Sequence, residues 1–231
     1  MTTTNDRLSS YTNVADAPTI ARLYQDTRER ILAVVGPSDW NTAVPACPGW
    51  SVRDVVAHLT AIIDDWVNKG PLSGPPTDAD TAAGVARFTG QDVDSIVVVW
   101  NSASARLDKL AESDGLKAPL ADVVVHEHDI RGAIGRPGER DCAAVICASD
   151  QLLTSLKTPV SLRVTVGDAE YQCGPDGSPE MQLRTTRFEA LRWRTGRRSP
   201  SQLAAMDWSG NPAPVLDHLY LFGPADADLV E

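Results

Sequence analysis

The chain has 231 residues, 42% of them hydrophobic, and carries 21 basic against 31 acidic side chains for a formal net charge of −10. Such a balance repels a polyanion, which disfavours general nucleic-acid binding, and no apolar run approaches the ~18 residues needed to cross a bilayer. Two structural units are expected from the length. The start, Met1–Asp6, lacks the basic and apolar regions of a secretory signal, so a short frayed tail and a cytosolic location are expected. Cys47, Cys142, Cys147 and Cys173 show no CxxC spacing and are expected to be reduced.

Residues 18–35 read as an opening helix, with Ile20, Leu23, Tyr24, Ile31 and Val34 at three- and four-residue spacing, ended by Gly36-Pro37-Ser38. Trp40–Trp50 is a loop of small residues and proline. Ser51 with Asp54 marks the start of a second helix, whose stripe of Val52, Val55, Val56, Leu59, Ile62, Ile63 and Trp66 runs to Lys69-Gly70-Pro71. The stretch from Gly70 to about 84 reads as a loop. A third helix is expected over Val85–Glu112, carrying Phe88, Val93, Ile96, Val97, Trp100, Ala103 and Leu107. The fourth covers Pro119–Ile134. Its Val123-Val124-Val125 run suits a strand locally, but Leu120, Val124, Ile130, Ala133 and Ile134 keep helical phase and Gly135 makes a C-terminal cap.

Beyond Gly135-Arg136-Pro137-Gly138 the pattern changes. Ala143–Leu156 reads as a helix, Val160–Val166 alternates as a half-buried strand, and Gly167-Asp168 turns the chain into a second strand at Ala169–Cys173. A third strand over Met181–Thr186, a helix over Arg187–Thr195 and a short helix from Ser199 through Met206 complete the reading. The fold class is α+β: a helical bundle over residues 1–140 and a small α+β domain over 141–231.

The chemistry concentrates on histidine. Asp122 and His126 lie four apart on the fourth helix, so both side chains leave one face, and His58 sits on a neighbouring helix. Two imidazoles and a carboxylate suit a divalent transition metal, and three protein ligands leave a position for water or substrate, as in a catalytic site. A bundle core is a recognised place for such ligands, although a single histidine on an apolar face is more often a packed core residue. His128 and Glu127 are the rivals of His126 and Asp122. Asp129 shares the face of His126 and has three open roles: orienting an imidazole, pairing with Arg131 or Arg53, or facing water. Cys47, between Pro45 and Pro48, is a further candidate because it precedes the His58 helix.

A second cluster is basic. Arg192, Arg194, Arg197 and Arg198 fall within seven residues of an acidic chain. They read either as an anion clamp for a carboxylated ligand, with Arg197 and Arg198 beyond the helix end in the catalytic role, or as a solvated face with pairs to surface acids. The six tryptophans read as packing anchors, with Trp50 also placed to line a pocket mouth.

The segments from Trp40 through Cys47-Pro48-Gly49-Trp50-Ser51-Val52-Arg53-Asp54 to His58-Leu59, then His126-Glu127-His128-Asp129-Ile130-Arg131-Gly132-Ala133, carry a resemblance. So do Arg187–Arg192, Thr195–Ser199 and Asp207-Trp208. Together they resemble the mycothiol-dependent maleylpyruvate isomerase-like family, within the wider DinB-like group of metal-binding four-helix bundles. The resemblance implies a metal, usually zinc, held by one His on the second helix and an acidic-x-x-x-His pair on the fourth, here His58, Asp122 and His126. Glu is typical where Asp122 stands. It further implies a low-molecular-weight thiol such as mycothiol as cofactor or cosubstrate, a small-molecule electrophile, and thiol-dependent isomerisation or S-transfer in a monomer or homodimer. Because the likeness is to the family at large, maleylpyruvate itself is not the expected substrate. A metal-stabilised binding or regulatory module without turnover is the alternative. A DNA-binding regulator is disfavoured by the charge and by the absence of a basic recognition helix.

Overall fold

The structure is a computed structural model that describes residues 15–72, 74, 76–177 and 181–231. The tail expected at Met1–Asp6 lies outside the described residues. Two compact units divide the described chain, one over Asp16–Pro137 and the other over Gly138–Glu231.

The first unit is helical. Its elements are α1 (Ala17–Val34), α2 (Val52–Lys69), α3 (Asp78–Ala86), α4 (Val93–Ser113) and α5 (Leu120–Ala133). Helix α1 packs on α4 and α5, and α2 packs on the same two, so four long helices close a ring. Ile20, Leu59, Ile63, Ile96, Trp100, Leu107, Val123 and Val124 fill its centre. There the Trp100 indole N–H donates to the Tyr24 hydroxyl at 2.9 Å, and burial pushes the Tyr24 phenol well above its ordinary pKa.

Helix α5 is buried on all sides from Val123 through Ile130, which is why its β-branched run is helical. Tertiary burial outweighs a local preference worth about 1 kcal/mol at most. Its charged residue Glu127 is fully buried and accepts from Arg30 of α1 at 2.9 and 2.7 Å and from Arg131 at 3.0 Å. The helix ends as the glycine predicts. Gly135 takes φ +64°, and the N–H groups of Arg136 and Gly135 donate to the carbonyls of Arg131 (2.9 Å) and Gly132 (3.3 Å), the paired bonds of a Schellman ending.

Two expectations need correction. The stretch from Gly70 to about 84 is not a continuous loop, since α3 begins at Asp78, and the third long helix starts at Val93 rather than Val85. Helix α3 buries none of its residues, so no apolar stripe announces it. A capping box starts it, in which the Thr77 hydroxyl accepts from the Asp80 N–H at 3.2 Å while the Asp80 carboxylate accepts from the Thr77 N–H at 3.1 Å. Asp92 then caps α4 by accepting from the Ser95 N–H at 2.7 Å.

The second unit comprises α6 (Ala143–Thr154), β1 (Leu162–Val166), β2 (Ala169–Cys173), β3 (Met181–Thr185), α7 (Arg187–Arg194), α8 (Pro200–Ala204), β4 (Asp207–Ser209) and a 3-10 turn at Leu216–His218. The sheet order is β2-β1-β3-β4, with β1 antiparallel to β2, parallel to β3, and β3 antiparallel to β4. Leu162, Val164 and Val166 of β1 and Leu183 of β3 pack with Leu153, Trp193 and Leu203 in this unit's core. The molecule is thus α+β, a helical region followed by a small mixed sheet. The strand β4 and the 3-10 turn are additions to the sequence-based reading. Among the described residues no helix is long and apolar enough to cross a membrane.

Because Glu127 is buried between two guanidinium groups, Glu127→Ala is expected to cost about 3–5 kcal/mol. The lower figure is favoured because the Arg30 side chain keeps 22% of its surface in solvent. Urea denaturation measures this, and a loss below about 1 kcal/mol would mean that the pair behaves as a surface contact.

Candidate metal centre

The segment before α2 folds back on itself and sets the site. The Val44 N–H donates to the Trp50 carbonyl and the Val52 N–H to the Thr42 carbonyl, each at 2.9 Å, while the Arg53 N–H reaches the Trp40 carbonyl at 2.9 Å. At the tip, the Trp50 N–H donates to the Cys47 carbonyl at 3.0 Å across Pro48-Gly49, with Gly49 at φ +83°. Proline followed by a left-handed glycine is the signature of a type II turn. Ser51 and Asp54 then form a full capping box, with the Ser51 N–H donating to Asp54 Oδ2 at 2.9 Å and the Asp54 N–H to Ser51 Oγ at 3.3 Å. Arg53 ties the turn after α3 to this start by donating to the carbonyls of Phe88 (2.8 Å) and Gln91 (2.6 Å).

One turn and a half into α2, His58 meets α5. His58 Nε2 lies 3.5 Å from Asp122 Oδ1, and His126 Nε2 lies 3.7 Å from the same oxygen. The two imidazoles meet edge to face, with centroids 5.1 Å apart and planes at 76°. A tetrahedral zinc with nitrogen and oxygen ligands has ligand–ligand edges of about 3.3 Å; the two edges to Asp122 are slightly longer, and ligand atoms of all three residues lie within 4.8 Å of one another. The shorter Asp122 thus reaches both imidazoles. It lies in the first turn of α5, where the helix dipole favours a carboxylate.

His126 has a second partner. Its Nδ1 is 2.9 Å from Asp129 Oδ2, one turn further along α5, and both residues are buried. Burial depresses the His126 pKa, only partly offset by Asp129, so the neutral ring is favoured. With its proton on Nδ1 and directed at Asp129, the ring leaves the Nε2 lone pair facing Asp122. Cys47 completes this side: its thiol donates to Asp129 Oδ2 at 3.5 Å, and its sulfur is 3.7 Å from His126 Nδ1.

The other candidates fall elsewhere. Glu127 is engaged by Arg30 and Arg131, while Arg53 is bound to the Phe88 and Gln91 carbonyls, so neither arginine named in the sequence analysis is drawn to Asp129. His128 is buried and belongs to neither of the two ligand groups. The Trp50 ring packs on His58 at 5.2 Å between centroids. Beside His58 opens a cavity of about 70 Å³, walled by Ala61, Ile62, Trp66 and Leu72 with Asp65 and Asp80 at its polar edge.

In the second unit the arginines are not a solvated face. Arg192 is fully buried and paired with Glu231, and Arg194 is buried and donates to the carbonyls of Leu152 (3.2 Å) and Leu219 (2.6 Å). Burial lowers the Arg194 pKa to about 10. Arg198 faces both oxygens of Glu189 at 2.7 and 2.8 Å and lies 3.4 Å from Glu231, while Arg197 donates to the Thr195 carbonyl at 2.6 Å. No sequence pattern pointed to Glu231 as a partner, because a pairing 39 residues apart leaves no local periodicity, and Glu189, nine residues from Arg198, lies across a helix end that breaks the spacing.

Residues 22–118 match the family model described as the mycothiol maleylpyruvate isomerase N-terminal domain. That span includes Cys47 and His58 and ends just before α5. The fold is similar to the crystal structure of the mycothiol-dependent maleylpyruvate isomerase, with 18% identity, a TM-score of 0.50, and coverage of 85% of this chain and 92% of that one. It is equally similar to a variant of that isomerase with one histidine replaced by alanine, at 16% identity and a TM-score of 0.50 over the same shares. No curated protein matches the chain significantly. The chain resembles the mycothiol-dependent maleylpyruvate isomerase-like family, in sequence over residues 22–118 and in fold over most of its length.

No heavy atom lies within 4 Å of where a Gly49 Cβ would sit, so Gly49→Ala meets only the backbone penalty of positive φ. The expected cost is about 1–2 kcal/mol, read as a lowered thermal midpoint. An unchanged midpoint would rule out the left-handed turn at this position.

Proposed function

We propose that this chain is a cytosolic divalent-metal protein, with zinc as the ion, that uses a low-molecular-weight thiol such as mycothiol to isomerise or S-conjugate a small electrophile. The observation that carries the reading is the convergence of His58, Asp122 and His126, whose ligand atoms lie within 4.8 Å of one another, with Asp122 at 3.5 and 3.7 Å from the two imidazoles. The match of residues 22–118 to the isomerase domain model supports the thiol.

A divalent cation at these residues would lower the pKa of a coordinated thiol and make thiolate available at neutral pH. The protein's own part is positional. His58 and His126 present ring nitrogens, Asp122 offsets positive charge, and Asp129 holds the His126 proton on Nδ1 so that the ring cannot turn away. Trp50 packs the His58 ring, and the cavity walled by Ala61, Ile62, Trp66 and Leu72 offers an apolar berth for an electrophile's carbon skeleton. Within the second unit, Arg197 and Arg198 are proposed separately as groups that recognise a carboxylated ligand. Arg198 is already paired with Glu189, so an incoming carboxylate would have to displace that side chain.

Metal analysis tests the ligand set. The purified chain is expected to hold about one zinc per chain, with His58→Ala and His126→Ala each losing it while circular dichroism stays helical. Unchanged stoichiometry in both variants would remove the proposal. Asp122→Glu is expected to keep or tighten binding, the longer acid being the family's usual ligand. Asp129→Ala should weaken metal affinity by about 10- to 100-fold, the usual cost of losing the partner of a ligating imidazole, as measured by chelator competition. Consumption of an electrophile only when thiol is present tests the chemistry. Zinc without thiol-dependent turnover would instead favour a metal-stabilised binding module.

A further inference from the structure

We propose that Cys47, His126 and Asp129 form a second cation position, selective for thiophilic d10 ions such as cadmium, that shares the His126 ring with the first. Among the described residues, two groups offer three ligand atoms within 4.8 Å of one another: His58, Asp122, His126 and Cys47, His126, Asp129. The second group is fully buried and is the one that contains a sulfur.

Its geometry is that of a coordination shell. For tetrahedral zinc with one thiolate, the edge from sulfur to a nitrogen or oxygen ligand is about 3.6 Å, and the larger cadmium ion lengthens it by a few tenths of an ångström. The Cys47 sulfur lies 3.7 Å from His126 Nδ1 and 3.5 Å from Asp129 Oδ2. The remaining edge, Nδ1 to Oδ2, is 2.9 Å and must widen by roughly half an ångström or more. Thiolate selects soft ions, whereas imidazole and carboxylate alone do not, so cadmium prefers this group over His58 and Asp122. The elements are held from both sides: the type II turn with its Trp50 N–H to Cys47 carbonyl bond fixes Cys47, and one turn of α5 fixes His126 and Asp129.

Protons must move for the ion to enter. The Cys47 thiol releases its proton to solvent. The imidazole proton leaves Nδ1 and is taken up at Nε2, 3.7 Å from Asp122 Oδ1. With Nε2 protonated, His126 no longer ligates at the first position, so a soft ion at the second position competes with a metal at the first. The proposal stands whether or not the first position holds zinc.

The test is titration of the chelator-treated full chain with cadmium chloride, following the ultraviolet thiolate-to-cadmium charge-transfer absorbance. The wild type is expected to saturate near one equivalent. Cys47→Ser should lose the band, and His126→Ala should weaken binding at least tenfold. His58→Ala and Asp122→Ala should retain the band, because they touch only the first position. Cys47→Ala, which removes the sulfur without adding a hydroxyl, serves if the serine variant misfolds. Absence of the band in the wild type, or its full persistence in both Cys47 variants, would overturn the site. Loss in His58→Ala to the same extent as in Cys47→Ser would overturn its separateness from the first position.

Discussion

The interaction on which the helical unit's site depends is the 2.9 Å contact between His126 Nδ1 and Asp129 Oδ2. A carboxylate as buried as Asp129 is costly unless hydrogen-bonded and charge-compensated. The imidazole N–H and the Cys47 thiol supply two donors, and in return the carboxylate fixes the ring's tautomer and orientation. Asp122, His126 and Asp129 stand at i, i+4 and i+7, so a single face of α5 presents acid, imidazole and acid in register. His58 needs only to arrive from α2 at the correct height, and the capping box at Ser51 and Asp54 sets where α2 begins.

Opposite demands on α5 explain its unusual composition. Away from the site it carries Glu127, bound by Arg30 from α1 and by Arg131. The apolar residues between these two polar clusters, Val123 to Val125 and Ile130, pack into the bundle. A helix that is buried all round and polar on two sides shows no clean apolar stripe. Its helical phase was still legible because Gly135 closes it in the left-handed region and Leu120, Val124 and Ile130 keep spacing. What could not be read was which acid on the helix would find which base, since Arg30 and Cys47 come from distant stretches of chain.

The same division between local and long-range signals runs through the rest of the chain. Caps and turns are written in adjacent residues: Ser51 with Asp54, Pro48 with Gly49, Gly167 with Asp168. Helix α3 had such a signal in Thr77 and Asp80, but it lacks buried apolar positions, and a reading weighted toward hydrophobic spacing passes over it. The alternative that put Arg192 and Arg194 on a solvated face failed for the converse reason. Arg192 and Arg194 alternate with apolar residues on a short helix, and their burial is made tolerable by Glu231 and by two backbone carbonyls, none of which lies within twenty residues of them in sequence.

Exposure gives the site a direction. His58, His126 and Asp129 are buried, but the Asp122 side chain keeps 32% of its surface in solvent. Asp122, at the first turn of α5, is thus the most solvent-open of these side chains, and the cavity walled by Ala61, Ile62, Trp66 and Leu72 adjoins His58. The two nitrogens of His126 meet different partners: Nε2 faces Asp122, whereas Nδ1 faces Asp129 and Cys47. The imidazole thus acts as a partition. The proposed exchange of ligands fits the Asp122 side, where solvent reaches a ligand atom. On the other side of the ring Cys47 and Asp129 are both buried. The acid at position 122, although one methylene shorter than glutamate, still lies 3.5 and 3.7 Å from the two imidazoles, so α2 and α5 approach closely enough for aspartate to meet both.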